Sequence, residues 1–148
     1  MIQQVLLVAV AMVAAVLVAL ALKNRRTDAP TQAGFEIPAQ IDRADFDAPD
    51  APWLVAVFTS ATCNTCADVA SKAAVLASSE VAVQRIDYTV DPAMHKRYRI
   101  DAVPLLVVAD GDGVVRKGFI GPVKAQDLWA AVAECREPGS TPPACDSH

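Results

Sequence analysis

An α/β domain, a central mixed sheet flanked by helices and preceded by a single N-terminal transmembrane helix, is the fold class that this sequence predicts. Three observations lead there: an uninterrupted apolar run at the N-terminus, an alternation of strand-like and helix-like apolar periods through the rest, and a late turn signal that folds two strands back on each other. The 148 residues hold one modest domain and exclude two independently folding catalytic domains.

The chain is 53% hydrophobic, and the excess is local. Residues 1–22 hold 20 of the apolar side chains, and without them the fraction falls to about 47%, the usual globular level. Residues 5–22 are eighteen uncharged Val, Ala, Leu and Met residues, close to the minimum that crosses a hydrocarbon core as a helix. A cleaved signal peptide competes with an uncleaved anchor, and Ala19-Leu20-Ala21 offers it a small-x-small site. The run is nevertheless too long for a signal, and Met1-Ile2-Gln3-Gln4 lacks the basic side chain that a signal carries. The expected organisation is therefore an anchor in the lipid bilayer over residues 2–22, a basic collar and flexible acidic linker over 23–37, a domain over 38–136 and a disordered tail over 137–148. Lys23, Arg25 and Arg26 follow the anchor, which taken alone keeps the domain on the cytoplasmic side of a single-pass membrane protein.

Residues 27–51 then hold Asp28, Glu36, Asp42, Asp45, Asp47 and Asp50 against Arg43 alone, a solvated or lipid-repelled spacer before a nearly neutral domain. With a net charge of −4 and no basic stripe interleaved with aromatics, nucleic-acid binding is not expected.

Within the domain the elements follow one another by apolar period. Residues 37–43 are read as a possible leading strand. Residues 53–58, Trp-Leu-Val-Ala-Val-Phe, form a short continuous apolar run, the pattern of a central strand buried on both faces. Residues 67–79 place Val69, Ala73, Leu76 and Ala77 at helical spacing, and residues 81–87 alternate as a strand. Asp91-Pro92 opens a short helix through Tyr98, because Pro at a first helical position loses no hydrogen bond. Residues 104–109 are a second apolar strand, and Asp110-Gly111-Asp112-Gly113 turns the chain into a third partner over 114–120. Gly121-Pro122 breaks the chain before a last helix, residues 124–135, with Leu128, Trp129, Val132 and Ala133 expected on its buried side.

The chemistry centres on Cys63-Asn64-Thr65-Cys66. A Cys-x-x-Cys between a buried strand and a helix sets the first thiol by unpaired backbone N–H groups and the positive end of the helix dipole, which favours the thiolate. The second thiol, one turn on, is within disulfide reach. Cys63 is thus the expected nucleophile toward a protein disulfide and Cys66 the resolving thiol, a reaction that calls for no cofactor. Half of a zinc site has the same spacing, but His95, Cys135, Cys145 and His148 stand at no paired spacing that closes one, so no metal is expected.

A second signal, Val103-Pro104 at the start of an apolar strand 38 residues after Cys66, completes a pattern that resembles the thioredoxin family. The resemblance spans roughly residues 38–136 and includes Asp91-Pro92, the Tyr98-Arg99-Ile100-Asp101-Ala102-Val103-Pro104 segment, the Asp110–Gly113 turn and Gly121. It implies a thioredoxin-like fold, a cis Pro104 facing the two sulfurs, a Val103 backbone that pairs with extended substrate, and an unidentified electron donor or acceptor. It also exposes departures. Thr62 stands where the family's dithiol reductases carry Trp, Asn64-Thr65 replaces Gly-Pro, and Val57 takes the place of a buried Asp that accepts a proton from the resolving thiol. The altered dipeptide leaves the reduction potential open over about 150 mV, so reductase, oxidase and isomerase directions stay open.

Cys135 and Cys145 are accessory thiols with three readings: free, joined in a structural bridge, or acting as a relay to the central pair. Lys96-Arg97-Arg99 reads as a solvated basic cluster or a docking site, Arg85 and Asp87 as strand-end charges that can tune the cysteine pair, His95 as a surface residue, and Trp53 and Trp129 as packing. The classes kept beside thiol–disulfide exchange are a non-enzymatic binding module at a membrane and a metal-carrying Cys pair.

Overall fold

In the computed structural model of the chain, the described residues are 35–140 together with Met1, Gln3, Gln4, 12–14 and Val16. The transmembrane helix expected over residues 2–22 falls for the most part outside them, as do the linker over 23–34, residues 141–148 and with them Cys145. Among the described residues no helix is long and apolar enough to cross a membrane. The domain is the unit that begins at Phe35.

Its sheet has four strands, β1 (Trp53–Thr59), β2 (Val81–Asp87), β3 (Leu105–Asp110) and β4 (Val115–Ile120), in the order β2-β1-β3-β4. β1 and β2 are parallel, and β3 is antiparallel to both β1 and β4. The helices are α1 (Cys66–Ala74), α2 (Pro92–Arg97) and α3 (Ala125–Arg136).

Central β1 explains its own composition. Leu54, Ala56 and Phe58 enter one core with Ile41, Phe46, Met94, Tyr98 and Leu105, while Val55 and Val57 enter the other with Val69, Ala73, Leu106, Leu128 and Val132. Alternate side chains serve opposite faces, so a strand covered on both sides must be apolar throughout. Each large aliphatic or aromatic side chain removed from water in this way contributes about 1.5–3 kcal/mol.

The hairpin between β3 and β4 is held by its turn chemistry. Asp110 Oδ1 accepts from the N–H groups of Asp112 and Val114, both at 3.0 Å. Gly113 has φ 79°, and a Cβ there would lie 2.0 Å from the Ile41 carbonyl oxygen, so no other residue fits. Gly118 in β4 lies close against Ile37: a Cβ would come within 2.6 Å of that side chain, which would have to shift.

Four expectations are corrected. Residues 37–43 form no strand; one bridge joins Gln40 to Val114, and the chain then enters a 3-10 turn, Arg43–Asp45. Asp42 caps that turn by accepting from Ala44 N, and the buried Arg43 donates to the carbonyls of Asp110 and Ala48, which anchors the segment across the sheet end without a ladder. The first long helix ends at Ala74 instead of Ser79, because Ser78 bonds locally: its Oγ accepts from Glu80 N and Val81 N, and its N–H donates to Val81 O. In α3 only Leu128 and Val132, one turn apart, are buried; Trp129 is 44% exposed and donates through Nε1 to the Lys72 carbonyl of α1. His95 is not a surface residue. It is 2% exposed, with its ring edge-on to Phe58 at 5.2 Å and to Tyr88 at 5.3 Å, since α2 is laid directly on the end of β1.

Candidate active site

The sheet brings two loops to one end. β1 finishes at Thr59, and Phe58 pairs with Leu105, the first residue of β3, so the segment leaving β1 and the segment entering β3 meet at the same edge. The first carries Cys63 and Cys66, and the second carries Val103-Pro104.

After Thr59 the chain makes a turn in which Cys63 N donates to Ser60 O at 3.1 Å and Cys66 N to Cys63 O at 3.4 Å, and α1 begins at Cys66. Cys63 and Cys66 are joined in a disulfide with their Cα atoms 5.5 Å apart. The two sulfurs are not equivalent. Cys66 is 1% exposed, held under the first turn of α1, whereas Cys63 is partly open to solvent. The N-cap, Thr65, makes no side-chain capping bond, and its Oγ1 lies 3.8 Å from Cys63 Sγ. An uncapped helix start leaves N–H donors and a positive field beside the pair, which stabilises a thiolate once the bond is reduced. Asp68, in the same first turn, is drawn into an ion pair with Lys72 at 2.6 Å.

The Val103–Pro104 peptide bond is cis, as the resemblance implies. Val103 is partly exposed and Pro104 buried, and the Pro104 carbonyl accepts from Gly121 N at 2.8 Å, which ties the start of β3 to the loop that follows β4.

Val57 is 1% exposed, with Arg85 and Leu106 as its cross-strand neighbours, so no carboxylate projects from β1 at that place. Charge reaches this face from β2 instead. Arg85 Nε donates to Thr59 Oγ1 at 3.0 Å, Thr59 Oγ1 donates to Asp87 Oδ2 at 3.1 Å, and Arg85 Nη2 closes the triangle on Asp87 Oδ2 at 3.1 Å. Asp87 Oδ1 also accepts from the hydroxyl and the N–H of Thr89, at 2.6 and 3.0 Å. These bonds, the Thr89 hydroxyl foremost, hold the Asp87 carboxyl at about 2, below its usual range. Arg85 and Asp87 were visible in the sequence as strand-end charges; Thr59, fully buried at the end of an apolar run, was not, and its only signal was a hydroxyl beside a strand that ends in Asp.

An Asp87→Asn variant is expected to be less stable than the parent at pH 7. A carboxyl whose folded pKa is depressed contributes stability above its unfolded pKa of about 4, and that contribution disappears as pH falls through the folded value. The urea midpoints of the two proteins should therefore differ at pH 7 and converge toward pH 2; a constant difference would mean that the side chain acts through its shape alone.

The basic cluster is split. Arg97 pairs with Asp45 at 2.6 Å and Asp42 at 3.5 Å and lies over the Tyr98 ring, whose hydroxyl also bonds Asp45. Lys96 and Arg99 are exposed. Cys135 is a free thiol in α3, partly buried, and burial pushes its pKa up, away from the reactive thiolate. Among the described residues no three His, Cys, Asp or Glu side chains are grouped to hold a metal ion.

No protein-family model matches the chain, and no curated protein does. Solved structures do. A mutant thioredoxin from Halobacterium salinarum NRC-1 superposes with a TM-score of 0.52 at 23% identity, over 58% of this chain and 76% of that one. A structure described as that of a malarial protein superposes with a TM-score of 0.51 at 12% identity, over 56% of this chain and 96% of that one. The likeness establishes the thioredoxin fold, with the Cys63–Cys66 disulfide in its Cys-x-x-Cys position.

Proposed function

We propose that this thioredoxin-fold chain is a thiol–disulfide oxidoreductase, held at a membrane by residues 2–22, with Cys63 as nucleophile, Cys66 as resolving thiol and Val103-Pro104 as the edge that aligns the substrate. The observation that carries the reading is the unequal exposure of two bonded cysteines at the start of α1, Cys66 buried and Cys63 partly exposed. In the reducing direction the Cys63 thiolate attacks one sulfur of a substrate disulfide, a Cys63–substrate bond forms, and the other substrate sulfur leaves and takes a proton. Cys66, deprotonated, then attacks Cys63 Sγ, the second substrate thiol departs, and two electrons have passed from the protein to the substrate. In the oxidising direction every step reverses.

The partly exposed cysteine is the one an incoming disulfide can reach, and the buried one meets only its neighbour. The reading is tested by incubating the full chain, reduced beforehand, with insulin and with a small neutral disulfide. Stoichiometric thiol release with return of the Cys63–Cys66 bond is expected, and inertness of both redox forms would instead make the chain a binding module. The basic collar Lys23, Arg25 and Arg26 favours a cytoplasmic domain over an external one; a topology reporter fused after His148 checks the side, and an external signal would replace a cytoplasmic reductant with an envelope partner.

A further inference from the structure

We infer that the domain carries, beside Val103-Pro104, a subsite for an acidic segment of its polypeptide substrate, and this rests on the redox reading for the word substrate but on its own observations for the site. β2 runs parallel to β1, so Tyr88, one residue past its end and bonded through its N–H to Thr59 O at 2.8 Å, lies at the same end of the sheet as the cysteine loop. From there a groove of about 820 Å³ is lined by Tyr88, His95, Lys96, Arg99, Ile100 and Asp101, and its last residue stands two before Val103.

Three features mark it as built to receive something. Tyr88 is 52% exposed, an aromatic ring on an end of the sheet whose usual Trp position is Thr62. Lys96 and Arg99 have no ion pair or side-chain hydrogen bond among the described residues, although Arg97 between them is fully engaged by Asp42 and Asp45. Arg99, finally, has φ 53°, a left-handed conformation that glycine ordinarily supplies. The backbone there closes α2 in a Schellman turn, with Ile100 N donating to His95 O at 2.8 Å. A long cation kept where the backbone favours glycine points from strain to use. The buried His95 Nε2, without a hydrogen-bond partner among the described residues, adds a polar atom from a residue that lines the same groove.

Two cations against the single lining anion Asp101 favour negative charge, and a strand laid along Val103 would have the groove two residues away along the chain, at Asp101. The occupant is thus an acidic peptide segment flanking the substrate cysteine. Exposed ion pairs are individually weak, so two of them give a preference of about fivefold, lost in high salt.

The test uses the oxidised full chain and two fluorescent peptides with Ser in place of Cys, identical except for three Glu or three Gln beside it, so that no thiol chemistry enters. The Glu peptide should bind about fivefold more tightly at low salt, with parity in about 1 M salt and in a Lys96→Gln/Arg99→Gln variant. An Arg99→Gly variant should lose part of the preference while its melting temperature rises, which separates recognition from misfolding. Equal binding of both peptides by the parent, or a preference that survives either variant in full, overturns the subsite. Reduction of 2-hydroxyethyl disulfide, measured on the reduced parent and the double variant, should be the same for both; its absence in the parent would sink the redox reading and leave the binding result standing.

Discussion

On the proposed reading, a Cys66→Ser variant is expected to accumulate mixed disulfides with its substrates, and a Cys63→Ser variant to form none. The asymmetry follows from burial. Cys66 is 1% exposed and can be reached only by its neighbour, while Cys63 is partly open at the turn before α1. With Cys66 replaced, the first bond still forms and nothing is left to break it, so the covalent complex persists until an outside thiol attacks. With Cys63 replaced, the remaining thiol lies under the helix and has no access. Turnover should fall to the uncatalysed level in both variants, and only the trapped species, read by mass spectrometry after acid quench, distinguishes the roles. Equal trapping by both variants would overturn the assignment of nucleophile and resolving thiol. Cys135 supplies an internal control, because burial raises its pKa and keeps its thiol from competing at neutral pH.

Replacing Phe58 with Ala should cost about 3–5 kcal/mol of folding stability. Phe58 is fully buried on central β1, and its ring meets His95 edge-on at 5.2 Å and Tyr98 at 6.3 Å. Removing it takes away transfer free energy and leaves a cavity where α2 rests on the sheet, and close-packed surroundings relax only partly into such a space. The loss should appear as a lower urea midpoint with an unchanged slope. A cost below about 1 kcal/mol would show that α2 closes the gap by itself. Because α2 carries Lys96 and leads into Arg99, the same variant should also weaken discrimination at the groove.

Where local pattern is enough, the elements were legible. β2 was read at its observed ends, since an alternating run bounded by Ser-Ser-Glu and Tyr-Thr leaves little choice. The hairpin was legible because Asp110 and Gly113 each do one thing that few residues can: accept two backbone N–H bonds, and hold φ at 79°. Residues 37–43 misled because the same apolar spacing serves a strand or a segment pinned from elsewhere, and the pin is Arg43 reaching Asp110 O, 67 positions away. His95 and Trp129 misled in opposite directions, one buried beneath Phe58 and Tyr88 and one half exposed. Both depend on which surface a helix meets, and a sequence does not contain that surface.

For the site, the sequence by itself determined the pair of thiols, their order along the chain, the proline that follows and the loss of a carboxylate at Val57. These are matters of residue type and spacing, which covalent geometry carries unchanged into any fold. Only the tertiary structure decided which cysteine is the more exposed, that Thr59, Arg85 and Asp87 close into one network, and that Arg97 pairs with Asp42 and Asp45 while Lys96 and Arg99, among the described residues, stay unpaired on the groove with Tyr88. Each of those facts is a balance between solvent and a partner many residues away, set only when strands and helices are packed.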